Sequence, residues 1–453
     1  MNDRKKSISF SRRSALLLTS LAALGGVACG SDDGASSGKP ESPAQPASPG
    51  AQTPAPNPPA TGGTDGAGGT VAKQSQYLVS VREWVAGSED LMSYFFTVPS
   101  LDGAVNYDLK KAQEAGFQGW IIGKELSPTF WIASQDEATI AKWTVGADGK
   151  FEKGAVLDFT GYGLFRTGYQ AKNGAFVSPD RHYFVAYEGD VIVWNPEKME
   201  LVKKIPVGIA DDGNLGAWSS LVKQGTDVLV TTFYVDNDDA TKFGRKVRTA
   251  KIDTKTDTVS APVESTRAQI AIPNSTSSNG TIYYGGRSTD GMVRAIYGAP
   301  SGYASQALRI VPAGTDFEAT FNVNLSALVG GRPVGAFRLL NDQTALLDVW
   351  HPEEVTPVLA DKSNADKVQI EKGYHTYKWT VGAPAAEKLP GEAYAQGLLD
   401  LTSSFATDGR LFGSELTEDP KTLTNSTYEI TSTGARRLVF TGAGQVLGLL
   451  RVR

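Results

Sequence analysis

Lys142-Trp143-Thr144-Val145-Gly146-Ala147 recurs word for word as Lys378-Trp379-Thr380-Val381-Gly382-Ala383. A hexapeptide repeated at two distant places in one chain marks internal repetition. Looser versions of the unit, a short alternating strand followed by a polar turn and another strand, run over Tyr94 to Val98, Val191 to Asn195 before Pro196, Arg248 to Asp253, Met292 to Tyr297 and Ser426 to Ile430. These seven anchors are mostly about 45 to 60 residues apart, the period of a propeller blade. The widest gap, between Tyr297 and Trp379, contains the charged stretch His351 to Gly373, which reads as a loop inserted into one blade.

Between the anchors lie short runs rich in Val, Ile, Phe, Tyr and Thr, bounded by Gly, Asn, Asp and Pro turns and without a sustained helical period. Val177-Ser178-Pro179-Asp180-Arg181-His182-Tyr183-Phe184 has the form of a turn between the first two strands of a blade. The only segment with a helical reading is Asn106 to Ala115, in a connection. A large β-sandwich also uses evenly spaced short strands, but it does not account for seven similar units. The expected fold is all-β, a seven-bladed β-propeller. Val446 to Val452 would supply the inner strand of the blade begun by Tyr77 to Trp84 and so close the ring.

Upstream of the repeats the chain changes character. Arg12-Arg13 leads into an apolar run from Ala15 to Leu24, which stops at Gly26-Val27-Ala28-Cys29, and Cys29 is the only cysteine among 453 residues. A basic head, a short apolar stretch and small residues before a cysteine read as a signal peptide with a lipobox over 1–28, with lipidation at Cys29. The apolar run falls short of the roughly twenty residues that a permanent membrane span needs. Residues 29–74 are mostly Pro, Gly, Ser, Ala, Thr and Asp with almost nothing to build a core, a disordered tether able to hold the domain on the order of 35 Å from its lipid. Gly30, not an aspartate, follows the cysteine, which favours an outer-membrane or cell-surface address. The propeller is expected over 75–453.

Composition and missing motifs narrow the function. A net charge of −5 and no Lys/Arg-rich run after the signal argue against nucleic acid as a partner. No Gly-x-Ser-x-Gly elbow, His-Glu-x-x-His helix or P-loop is present, so no hydrolase or redox machinery is visible. With three histidines, His182, His351 and His375, and no cysteine in the mature domain, no metal site and no cofactor are expected. Asp236-Asn237-Asp238-Asp239 and Asp211-Asp212-Gly213-Asn214 lack the distal glutamate of a calcium loop and read as solvated turns.

Tyr77-Leu78-Val79-Ser80-Val81, Phe130-Trp131-Ile132-Ala133 ahead of Lys142-Trp143, and the lipobox-plus-propeller layout resemble a family of bacterial lipoproteins common in Bacteroidetes. The resemblance implies a propeller that accompanies a TonB-dependent receptor and, for some members, binds ferric siderophores. The residues that would serve such binding lie near expected blade starts and strand ends: Arg82, Trp84, Arg166, Tyr169, Trp218, Arg287, Arg338 and Trp350. Arginine offers directional donors to anionic oxygen, and aromatic faces take planar rings and cations. The resulting expectation is a lipid-anchored, non-enzymatic protein that binds an iron–siderophore or similar bulky ligand at the propeller mouth and passes it to a receptor. The alternative is a cell-envelope interaction scaffold on the same fold.

Overall fold

A computed structural model describes residues 75–84, 91–213, 215–236, 244–286, 305–355, 372–394, 399, 404–419 and 422–453. The signal, Cys29, the tether and Arg287 lie outside these residues, as does the side chain of Trp84.

The described strands form seven antiparallel sheets, one per blade. From the axis outward, blade I is Gln445–Arg451, Tyr77–Trp84, Leu91–Val98 and Gln113–Phe117; blade II is Trp120–Gly123, Thr129–Ala133, Thr139–Val145 and Phe151–Asp158. Blade III is Ala175–Ser178, Arg181–Val185, Asp190–Asn195 and Glu200–Pro206, and blade IV begins with Gly216–Gln224, Asp227–Val235 and Val247–Asp253. Blades V, VI and VII begin at Ile272–Thr276, Val334–Asn341 and Ser404–Thr407. The last strand pairs with the first, from Tyr77 opposite Arg451 to Arg82 opposite Gln445, so the ring closes as the repeats imply.

Strand periodicity explains why the blades stack. Side chains alternate across a strand, and each blade is covered on both faces, so successive residues enter different seams. Tyr77, Val79 and Val81 join the core between blades VII and I, whereas Leu78 joins the one between I and II. Tyr183 and Val185 face blade IV, and Phe184 faces blade II. Ala345, Leu347 and Val349 face blade V, and Leu346 and Trp350 face blade VII. The described core divides into seven clusters, one for each seam. Second strands are therefore nearly continuous in burial, as in Asp227–Val235, while the outer strand Phe151–Asp158 is largely exposed and carries Glu152 and Lys153 along its edge.

Six of the seven anchors are third strands, including both copies of the hexapeptide, whose Trp143 and Trp379 fill the I/II and V/VI seams. The seventh, Met292 to Tyr297, lies outside the described residues, and the third strand of blade V is Gln306–Ile310. The helix expected over Asn106 to Ala115 is corrected. Val105–Asn106 adds in parallel to the outer strand of blade VII, Leu109–Lys111 is a 3-10 turn, and Gln113–Phe117 is the outer strand of blade I. Tyr107 packs so closely on Gly442 that a Cβ there would lie 2.4 Å from its ring. This tertiary contact overrides a weak local preference.

Candidate functional site

Each inner strand starts where the second strand of its blade ends, as the registers of Trp120 with Ala133, Gly216 with Val235 and Ile272 with Gly285 show. One end of the ring, the mouth, therefore gathers the starts of the inner strands and the turns between second and third strands. A short helix, Gly168–Lys172, lies in the connection between blades II and III and reaches this end.

Trp120, at the start of blade II, is the centre of the mouth's aromatic cluster. The Arg82 guanidinium stands 5.4 Å from its ring and Lys172 Nζ stands 4.7 Å away, while Tyr169 meets it edge-on at 5.3 Å. Arg82 is buried, its Nη2 donates to Gln445 Oε1 at 3.2 Å, its Nη1 has no hydrogen-bond partner, and burial pulls its pKa down to about 10. Lys172 Nζ donates to the Leu447 carbonyl at 2.9 Å. A second group lies alongside: Arg166 packs 4.0 Å over the Tyr187 ring, and Gln135 donates to the Tyr187 hydroxyl while accepting from the Tyr169 backbone N–H, both at 2.9 Å. Burial raises the Tyr187 phenol, which favours its neutral, hydrogen-bonding form.

Next to this cluster opens a cavity of about 330 Å³ between the inner strands of blades IV and V, with Tyr169 and Asn173 at its edge. Trp218, Leu221, Phe233 and Ile272 give it apolar walls. Two polar atoms on those strands, Ser220 Oγ and Asn274 Nδ2, are buried without a hydrogen-bond partner. Both atoms are shut off from solvent as they stand, and unpaired buried donors cost about 1 to 3 kcal/mol each, so a side-chain rotation that turns them to a ligand in the cavity is favoured.

The expected site residues divide. Arg82, Arg166, Tyr169 and Trp218 come together at the mouth. Arg338 borders the cavity through its Nη1, which donates to the Asn274 carbonyl, while its Nε donates to the Leu399 carbonyl at 3.3 Å. Trp350 does not belong to the mouth: it is fully buried in the VI/VII seam, edge-on to Tyr374 at 4.8 Å, because its strand parity turns it there. Trp84 ends the second strand of blade I, with its side chain outside the described residues.

Trp120, Gln135, Lys172, Ser220 and Asn274 escaped the sequence reading. All five occupy positions at an inner strand, a second-to-third turn or the connection into blade III. Knowing the strand phase was needed to pick them out. Three histidines argue against a convergent metal site, yet His351 and His375 lie together on blade VI, with ring centroids 4.4 Å apart. His182 is buried and accepts a hydrogen bond from Trp194.

No protein-family model matches the sequence, and no curated protein matches it. Solved structures do match in fold. The periplasmic gluconolactonase PpgL of Pseudomonas aeruginosa is 11% identical with a TM-score of 0.51, over 84% of this chain and 99% of that one. A hypothetical selenium-binding protein from Sulfolobus tokodaii is 9% identical with a TM-score of 0.49, over 83% and 93%. Apo AztD from Citrobacter koseri is 10% identical with a TM-score of 0.41, over 83% and 98%. Identities this low show the fold alone. The expectation that the chain is not an enzyme is nonetheless corrected, because a protein named as a gluconolactonase shares this architecture, and missing sequence motifs do not remove catalysis from it.

Proposed function

We propose that this protein binds a small, ring-bearing polar molecule in the mouth cavity between blades IV and V. The observation that carries the reading is a space of about 330 Å³ with apolar walls from Trp218 and Phe233, lined also by Ser220 and Asn274, whose Oγ and Nδ2 are without hydrogen-bond partners. Pockets for small molecules start near this size and combine apolar lining with a few fixed polar groups. The donors are neutral, which suits hydroxyl, carbonyl or ring oxygens better than a multiply charged anion.

A ferric siderophore is the larger form of the same reading. It would sit across the mouth, because three chelating groups around an iron exceed a cavity suited to one ring. The cations there also support the smaller ligand: Arg82 and Lys172 are turned onto Trp120 and onto internal acceptors. Delivery to an envelope receptor, and the tether at Cys29, belong with this proposal and rest on the sequence.

Fluorescence of Trp218 reports on the cavity. Titration of the full chain with monosaccharide lactones, neutral phenols and ferric catecholates should give saturable change with one of the small-ring classes, and Ser220→Ala should weaken it about tenfold, the value of a hydrogen bond inside a dry site. Saturation by ferric catecholate alone, unaffected by Ser220→Ala, would move binding from the cavity to the outer mouth. Product analysis in the same samples shows whether the bound molecule is turned over.

A further inference from the structure

We propose that His351, Glu354 and His375 form a binding site for a divalent metal ion of the zinc class, on the mouth face of blade VI.

The three residues come from the two sides of one strand connection. His351 directly follows the second strand, Thr344–Trp350, and His375 is the second residue of the third, Tyr374–Thr380. The His351 N–H donates to the Gly373 carbonyl at 2.8 Å, and His375 is in register with Val349, so both rings stand on paired backbone. Pro352 then starts a 3-10 turn, Pro352–Glu354, whose last N–H donates to the His351 carbonyl at 3.0 Å and brings Glu354 back over the two rings.

Their ligand atoms converge. His351 Nδ1 lies 3.3 Å from Glu354 Oε1, His375 Nε2 lies 2.6 Å from Glu354 Oε2, and the donor atoms of all three lie within 4.8 Å of one another. Ligands at about 2.0 to 2.1 Å from a tetrahedral zinc ion stand about 3.3 Å apart, so small side-chain rotations suffice to admit the ion. The far nitrogen of His351, Nε2, is 3.0 Å from the Tyr377 hydroxyl, the kind of outer partner that fixes the orientation of a metal-bound imidazole. Two imidazoles and one carboxylate make a borderline donor set, suited to zinc and not to calcium or magnesium.

Among the described residues no fourth ligand joins these three. Glu353 Oε1 comes within 3.2 Å of His351 Nδ1, but Arg332 holds it through Nη2 at 2.8 Å and Nε at 3.2 Å. The histidine rings are buried and Glu354 is partly exposed. Lys388 Nζ, 3.7 Å from Glu354 Oε1, competes with the metal for this carboxylate.

The test is calorimetric titration of the metal-stripped full chain with zinc chloride, with cobalt chloride as a spectroscopic probe. One equivalent should bind, and cobalt should develop the visible bands of a four-coordinate ion with nitrogen and oxygen ligands. Glu354→Gln keeps the size and hydrogen-bonding reach of the side chain, so it spares the fold; it should weaken binding at least about tenfold. His375→Gln should do the same, and Lys388→Met should tighten binding severalfold. Cys29 is common to every variant and cancels in the comparison. Absence of saturable zinc binding, or one equivalent bound equally well by wild type and Glu354→Gln, would overturn the proposal.

Discussion

Trp194 Nε1 donates a 3.0 Å hydrogen bond to His182 Nδ1 inside the seam between blades II and III. Burial, assisted by nearby Lys124, holds the His182 pKa down to about 3. In the unfolded chain the same group titrates at about 6.5, so between these values the unfolded state binds a proton that the native state refuses. The contribution is full above the unfolded pKa and is lost as the pH falls toward about 3, at up to about 1.4 kcal/mol per pH unit. His182→Asn keeps an acceptor for Trp194 but does not titrate. Urea midpoints followed from neutral to mildly acid pH should fall more steeply for wild type than for the variant, and parallel curves would show that His182 carries none of the acid sensitivity.

Arg82 is a buried charge with one side-chain hydrogen bond and one unpaired nitrogen. Such a group gains little from burial, and an apolar chain of similar length often serves as well. Arg82→Met should therefore fold with a stability within about 1 kcal/mol of wild type. A loss of several kcal/mol in denaturant unfolding would mean that the guanidinium is fully compensated in solution.

Arg338, in blade VI, donates to the carbonyls of Asn274 in blade V and of Leu399 in the connection that leads to blade VII. Lysine has a single ammonium in place of a planar fork and cannot hold both positions. Arg338→Lys should cost about 1.5 to 3 kcal/mol and loosen the Asn274 side of the cavity, weakening ligand and fold together. Unchanged thermal stability would refute the bridging role.

Lipidation at Cys29 is a separate question from the fold. Metabolic labelling with a radioactive fatty acid should mark the wild-type chain and leave Cys29→Ser unmarked, and only the former should partition into detergent. Equal partitioning would remove the tether from the account.

The repeat carried the fold because its identical residues serve identical purposes: Trp143 and Trp379 occupy the same place in their blades, so spacing alone revealed blade size. The closing strand was legible for a similar reason, as an alternating segment left over at one end. Positions whose neighbours come from distant blades were less legible. Trp350 and Trp218 are both tryptophans near strand ends, yet one is sealed in a seam and the other lines a cavity, and only strand phase separates them. Asn106 to Ala115 shows the same limit, since its strand is imposed by blades I and VII. His351 and His375 are brought together by the pairing of the second and third strands of blade VI, a register that composition does not reveal.

Arg453 Nη1 meets Gln76 Oε1 across a sequence separation of 377 residues, beside the paired strands that close the ring. During synthesis, the N-terminal blade thus waits for a partner that leaves the ribosome almost a whole domain later. Until then the backbone edge of Tyr77–Trp84 is uncovered and open to pairing with other chains. Contacts this distant in sequence are also slow to form. The interval between translation and sealing is therefore the period in which this strand edge is most open to mispairing.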